Sequence, residues 1–158
     1  MNTKEFVESL IANGFTTEKD IVGCSDTEVG DLENYLGHKL PREYQEFIKA
    51  VGHSAGDFNR GSDFLFKDIF ILTEETRNIL NDGPFKLPED AFVIFSHQGY
   101  IFSYFRFSDG DDPPVYVYME NEPEPKKWAS SFSEYLSKSF EEALNARRNL
   151  NKFKGLLE

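Results

Sequence analysis

One pentapeptide in this 158-residue chain, at residues 52–56, matches a catalytic motif. Its sequence, Gly-His-Ser-Ala-Gly, fits the G-x-S-x-G pattern that presents the nucleophilic serine of α/β-hydrolases. That chemistry needs a strand before the serine and a helix after it, so that the hydroxyl stands beside an oxyanion hole. Here a helical pattern precedes Ser54 and a polar loop follows it, although Asp63 or Asp90 and His97 come in the right order. We therefore expect a loop that ends a helix, and a small serine hydrolase using Ser54 is kept only as an alternative.

The residues that commonly bind metal ions form no recognisable motif. His38, His53 and His97 lie far apart, and none stands at a zinc-ligand spacing from a cysteine or a glutamate. The turn from Asp109 to Asp112 is rich in carboxylates, but two prolines follow it and no glutamate completes a calcium loop. A glycine-rich phosphate loop is also missing. The sequence therefore predicts no catalytic residue, no metal and no cofactor.

The charge of the chain favours a protein partner. Acidic residues outnumber basic ones by 28 to 17, and the formal net charge is −11. Such a field repels phosphate backbones and anionic membranes, so we expect neither nucleic acid nor membrane as a partner. It attracts basic proteins, although acidity is also a common route to solubility. The lone Cys24, the absence of a signal-peptide pattern and the shortness of the apolar runs predict a cytoplasmic protein.

Helical periodicity appears near both ends of the chain. A short amphipathic helix precedes Gly14, and a second begins at Ser25, where Glu28 completes a capping box. The buried stripe of this second helix is predicted to contain Val29, Leu32, Tyr35 and Leu36. A third helix follows Pro41, with Tyr44, Phe47, Ile48 and Val51 on one side. A final helix is predicted after Ser131, with Phe132, Leu136, Phe140 and Leu144 at four-residue spacing.

The middle of the chain reads mainly as strands. AFVIFSH and YIFSYFRF predict a hairpin that turns at Gln98 and Gly99, and VYVYME predicts a third strand. FLFKDIFIL is interpreted as one or two strands before a short helix capped by Thr73, and NEPEPKK as a loop. These elements predict a single α+β domain over residues 1–158, with a mainly antiparallel sheet of about four to six strands and helices packed on one side.

Aromatic residues occur on both faces of the predicted sheet. If helices cover the face of Ile101 and Phe105, then Phe102, Tyr104, Tyr116 and Tyr118 lie on the other face. They form either a partly exposed patch, as binding surfaces often do, or a second core covered by a C-terminal segment. The sequence leaves these alternatives open.

Two stretches resemble the SUKH superfamily, which is named partly for a fungal regulator of cell-wall synthesis. The first is CSDTEVGDLENYLGHKLPREYQEFIKAVG, in which Leu32-Glu33, Leu40-Pro41 and Tyr44 match the family's helix pair. The second is HQGYIFSYFR followed by DGDDPPVYVYME, which resembles bacterial members. The resemblance implies an α+β domain with helices against an antiparallel-rich sheet, and it does not imply catalysis. Bacterial members are regarded as immunity proteins that bind and block toxins, many of them nucleases, so it also implies a basic toxin domain as the partner.

The resemblance supplies no site residues, and its matched His97, Gln98 and Tyr100 are either functional or structural. We expect the partner surface to combine the acidic turn, the acidic segment after the third strand, and neighbouring tyrosines. The predicted set is Tyr104, Asp109, Asp111, Asp112, Tyr116, Tyr118, Glu120, Glu122 and Glu124. A regulatory scaffold that docks several endogenous proteins, as the eukaryotic relatives suggest, is the second hypothesis.

Overall fold

A computed structural model describes every residue of the chain, 1–158. The helices are α1 (Thr3–Ala12), α2 (Asp26–Leu36), α3 (Arg42–Val51), α4 (Phe66–Ile79) and α5 (Phe132–Leu157). The strands are β1 (Ile21–Val22), β2 (Ser54–Ala55), β3 (Ala91–His97), β4 (Ile101–Arg106), β5 (Val115–Met119) and β6 (Lys126–Ala129). The predicted α+β class is confirmed.

Side-chain caps begin α2 at Ser25 and α5 at Ser131, as the sequence predicted. At α2 the Glu28 amide donates to the Ser25 hydroxyl at 3.1 Å, and the Ser25 amide donates to the Glu28 carboxylate at 3.0 Å. Each of these two amides, which has no backbone acceptor at the start of the helix, thereby gains a hydrogen bond. Val29 and Leu32 are buried, but Tyr35 is 58% exposed, so its place in the buried stripe was wrongly predicted. None of the five helices is both long and apolar enough to cross a membrane.

The main sheet is an antiparallel meander in the order β3-β4-β5-β6. The predicted hairpin of β3 and β4 is confirmed, and Gln98 and Gly99 take positive φ angles of 51° and 74° at its turn. The predicted loop NEPEPKK is shorter than expected, because its two lysines begin β6, which pairs with β5. Only the proline-bearing part stays outside the ladder. A separate pair of two-residue strands joins β1 to β2.

The segment FLFKDIFIL was wrongly predicted as strands. Its residues 66–72 form the first half of α4, and the Leu65 amide just before the helix donates to the Asp68 carboxylate at 3.3 Å. Thr73 lies within the helix, and its hydroxyl accepts a hydrogen bond from the Val93 amide at 2.9 Å. α4 therefore runs along β3 and occupies an outer edge that would otherwise expose unpaired amides.

Two apolar cores lie on opposite faces of the sheet. The larger one joins α1, α2, α3 and α5 to Phe92, Ile94 and Phe105. The smaller one contains Phe102, Tyr104 and Tyr118 from the other face, covered by side chains of α4 and of the segment after it, namely Leu72, Leu80, Phe85 and Leu87. Helices thus cover both faces rather than one, and it is α4, not a C-terminal segment, that covers the second face.

Gly23 lies where the segment before α2 passes the backbone of α3. A Cβ atom on Gly23 would stand 1.6 Å from the Lys49 carbonyl oxygen, closer than any carbon can approach. The Cys24 amide next to it donates to the Ile48 carbonyl at 2.9 Å, which fixes this close passage. Only glycine therefore fits between α3 and the start of α2.

We expect Gly23→Ala to lower the free energy of unfolding by about 3 kcal/mol or more, because the backbones of two elements must separate. The matched control is Gly30→Ala within α2, where an added Cβ meets nothing within 4 Å. This control should raise stability by roughly 0.5–1 kcal/mol through helix propensity. Urea unfolding followed by circular dichroism measures both, and equal effects would contradict the packing argument.

Candidate partner-binding site

An open groove lies between the sheet and α5, at the end of the sheet where β4 begins and β5 ends. It encloses about 290 Å³. Its apolar walls come from all four strands of the main sheet. They are Phe95, Ile101, Val117, Met119 and Trp128. The size and the apolar lining are those of a small binding cleft.

The register of the sheet explains where the groove lies. Ile101 pairs with Met119, and Ser103 pairs with Val117, so these four side chains share one face. The same face carries Phe105 further along, where the core covers it. Met119 remains 48% exposed, which shows that the helical cover ends before this part of the sheet.

α5 forms the opposite wall of the groove with a polar stripe. Tyr135, Ser139 and Glu142 are spaced by four and three residues, which places them on one side of the helix. Burial raises the pKa of Glu142, and no basic side chain pairs with its carboxylate. The groove therefore combines apolar walls with one carboxyl group that lacks a cationic partner. Sequence reasoning missed Glu142 and Trp128, although the helical spacing of residues 135, 139 and 142 was visible.

The predicted acidic segment lies beside this groove. Glu120, Glu122 and Glu124 are exposed in the loop that follows Met119. The Glu120 amide donates to the Tyr100 carbonyl at 2.7 Å, and the Tyr118 hydroxyl donates to the Glu122 carbonyl at 2.7 Å. The loop is thus attached to the hairpin tip and to a buried side chain. Its three carboxylates lie in the segment that directly follows Met119, a residue of the groove wall.

The other predicted acidic turn lies at the opposite end of β5. Asp109, Asp111 and Asp112 precede Val115, and β5 then advances by roughly 13 Å before the glutamates begin. Asp112 accepts hydrogen bonds from the Ser133 amide and hydroxyl, both at 2.9 Å, in the first turn of α5. The structure does not bring the two acidic groups together as one surface.

Two of the predicted surface tyrosines are buried. Tyr104 and Tyr118 are 2% and 1% exposed, because α4 and Phe85 cover their face of the sheet. Tyr116 is half-buried and stacks on Tyr104 with ring centroids 5.4 Å apart. The exposure expected for Tyr104 and Tyr118 was therefore wrong. Their role is to hold the second core and, through Tyr118, the acidic loop.

The structure gives Ser54 no catalytic partners. Its hydroxyl accepts a hydrogen bond from the Gly56 amide at 3.3 Å, and it lies in a two-residue strand that a turn follows. His97 instead bonds Ser62 at 2.9 Å. Asp90 accepts hydrogen bonds from Ser108 and Arg106, which lower its pKa to about 2. The serine, the imidazole and the carboxylate of the supposed triad thus belong to separate contacts.

Folding does bring one histidine to a cysteine and a glutamate, contrary to the expectation from spacing. The thiol of Cys24, the carboxylate of Glu28 and the imidazole of His53 have donor atoms within 4.8 Å of one another. His53 Nε2 lies 2.7 Å from Glu28 Oε2. Burial and the Glu28 charge raise the pKa of the Cys24 thiol to about 12, so it is not an activated nucleophile.

Comparison with known proteins places the chain in a family. No curated protein matches the chain. Residues 23–138 match the SMI1 / KNR4 family (SUKH-1). This range begins just before α2 and ends within α5, so it contains the whole main sheet and most of the groove. Because the match covers well over half of the chain, the protein belongs to the SMI1 / KNR4 family (SUKH-1).

Proposed function

We propose that the protein is a non-catalytic immunity protein, which binds a basic toxin domain and blocks its activity. The observation that carries the proposal is the apolar groove with the unpaired Glu142 carboxylate on one wall and the acidic loop at its end. Membership of the family fits an immunity protein or a regulator. In both roles the protein acts by binding another protein and needs no reactive group.

The groove suits a basic side chain that carries an aliphatic stem. Lysine and arginine bury their methylene groups against apolar surface while the charged head seeks an acceptor. Ile101, Val117 and Met119 offer that surface, and Glu142 offers the acceptor. Partial burial raises the pKa of Glu142, although its side chain still reaches the solvent, and no cation compensates for the water that is lost. A cation from the partner would stabilise its ionised form.

The acidic loop extends this contact beyond the groove. A specific interface buries roughly 800 Å² on each partner, far more than one side chain in a small groove can supply. Glu120, Glu122 and Glu124 provide a charged rim beside it, and rim charges mainly accelerate association and select partners. We assign the groove as the anchor and the loop as the attractive rim.

The direct test is to co-express the protein with the toxin encoded by the neighbouring gene. We expect a stable complex in which the toxin is inactive. Met119→Asp should weaken binding by about 10- to 100-fold, because a charge is placed in the apolar anchor site. Ile71→Asp is the matched control, since Ile71 on α4 is 49% exposed and Met119 48%.

The control should bind within about twofold of the parent. A complex that both substitutions weaken equally would show that the groove is not the contact. A complex with endogenous proteins, and none with the toxin, would favour the regulatory scaffold. Turnover of an ester substrate that depends on Ser54 would contradict the non-catalytic assignment itself.

Two adjacent glutamates of α5 allow the proposed cation contact to be tested without changing shape. Glu142 lines the groove, whereas Glu141, also exposed, does not. We expect Glu142→Gln to weaken toxin binding about tenfold, mainly through faster dissociation, and Glu141→Gln to leave it unchanged. Surface plasmon resonance measures both rates. Equal effects of the two substitutions would mean that only overall charge matters.

The two acidic groups at opposite ends of β5 allow two effects on the association rate to be distinguished. One is attraction by the acidic loop itself, and the other is attraction by the net charge of the whole protein. Glu120→Lys with Glu122→Lys, and Asp109→Lys with Asp111→Lys, change the net charge by the same amount. We expect the first pair to slow association by roughly 3- to 10-fold and to reduce its salt dependence, and the second pair to have a smaller effect. Stopped-flow measurement of the association rate at several salt concentrations distinguishes the effects of the two pairs. A larger effect at Asp109 and Asp111 would move the interface to the other end.

A further inference from the structure

Cys24, Glu28 and His53 converge from two parts of the chain, since Glu28 and His53 are 25 residues apart in sequence. Cys24 precedes α2, Glu28 lies in the first turn of α2, and His53 follows α3. Their sulfur, oxygen and nitrogen donors lie within 4.8 Å of one another. None of the three residues lines the groove or belongs to the acidic loop, so the proposed binding surface does not use them.

Backbone hydrogen bonds fix the positions of two of these residues. The Cys24 amide donates to the Ile48 carbonyl, and the His53 amide donates to the Val22 carbonyl, each at 2.9 Å. Gly52 leaves the room for the thiol, because a Cβ there would stand 2.4 Å from Cys24 Sγ. The backbone positions that carry these two donors are therefore held close to each other.

The third residue is oriented by its role as a helix cap. Glu28 Oε1 accepts a hydrogen bond from the Ser25 amide at 3.0 Å, which leaves Oε2 directed at His53. The His53 ring also contacts Phe66 edge-on, with centroids 5.3 Å apart. The thiol is buried, whereas the Glu28 and His53 side chains are 34% and 36% exposed. An ion could therefore enter from the solvent side, between the carboxylate and the imidazole.

We propose that Cys24, Glu28 and His53 bind one Zn²⁺ ion through Sγ, Oε2 and Nε2, with the fourth position open to water. Thiolate, imidazole and carboxylate are the donors that zinc takes in proteins. A thiolate and a carboxylate together also neutralise a divalent cation, so a partly buried site acquires no net charge. On binding, the Cys24 thiol gives its proton to the solvent and the sulfur lone pair forms the bond to zinc.

The Glu28–His53 hydrogen bond offers a simpler explanation for two of the three residues. It does not account for the thiol beside them. The proposed site makes the thiol a ligand, so the two explanations differ in what they predict for Cys24. If only the hydrogen bond matters, the parent protein has no specific zinc site, and cobalt added to it gives no sulfur band.

The test is calorimetric titration of the chelator-treated, full-length protein with Zn²⁺, together with absorption spectra after addition of Co²⁺. We expect one ion per chain, and a cobalt spectrum with a thiolate-to-metal charge-transfer band and the strong visible bands of a tetrahedral site. Cys24→Ser and His53→Asn should each weaken zinc binding beyond the roughly 10- to 100-fold that loss of an outer partner costs. Cys24→Ser should also abolish the charge-transfer band.

His38→Asn is the matched control, because His38 is exposed and stacks on Phe107 outside the cluster. It should bind zinc like the parent. Circular dichroism of each metal-free variant checks that it is folded, and the exposed His53 keeps the test open if Cys24→Ser is unstable. Cobalt spectra without a sulfur band, or binding weakened as much by His38→Asn as by His53→Asn, would overturn the proposal.

Discussion

Tyr44 joins the helices to the sheet, because its ring contacts one aromatic side chain from each of three other elements. Its ring lies on α3 and packs against Phe92, Phe105 and Phe132, with centroids 5.3 to 5.7 Å apart. It is 1% exposed, and its hydroxyl has no hydrogen-bond partner. Leaving a buried hydroxyl unpaired costs free energy, so the aromatic packing around it must more than compensate. One side chain thereby links α3, β3, β4 and α5.

The groove follows from the same contact. Phe132 ties the first turn of α5 to Tyr44, and Asp112 caps that turn through Ser133. From this turn α5 continues across the sheet. Leu136 and Phe140 on one side of the helix lie in the core. The side that lines the groove carries Tyr135, Ser139 and Glu142. Small side chains at Ser103 and Ser139 line the gap that remains. The groove is thus a consequence of packing an amphipathic helix over only part of a sheet face.

Local patterns predicted most elements because their signals involve neighbouring residues. The Ser25–Glu28 capping box, the alternation in β5 and the turn at Gln98–Gly99 each operate within a few residues. α4 was mispredicted because FLFKDIFIL is apolar on several sides at once. Phe66 and Ile69 pack against the first core, and Leu72 packs against the second. A helix between two cores loses the one-sided pattern that identifies helices, so its run of apolar residues resembles a strand.

The sites were harder to predict, because they depend on contacts between distant residues. His53 meets Cys24 only because two backbone hydrogen bonds and two glycines bring the end of α3 against the start of α2. Glu142 meets Met119 only because α5 crosses the sheet at a particular place. The net charge of −11 likewise could not indicate where a basic partner would bind, since acidic residues occur along the whole chain. The acidic loop differs from the Asp109–Asp112 turn in one physical respect. Its carboxylates follow Met119, whose apolar side chain is left exposed by the helices. A basic partner that the loop attracts from a distance can therefore bury apolar surface when it makes contact.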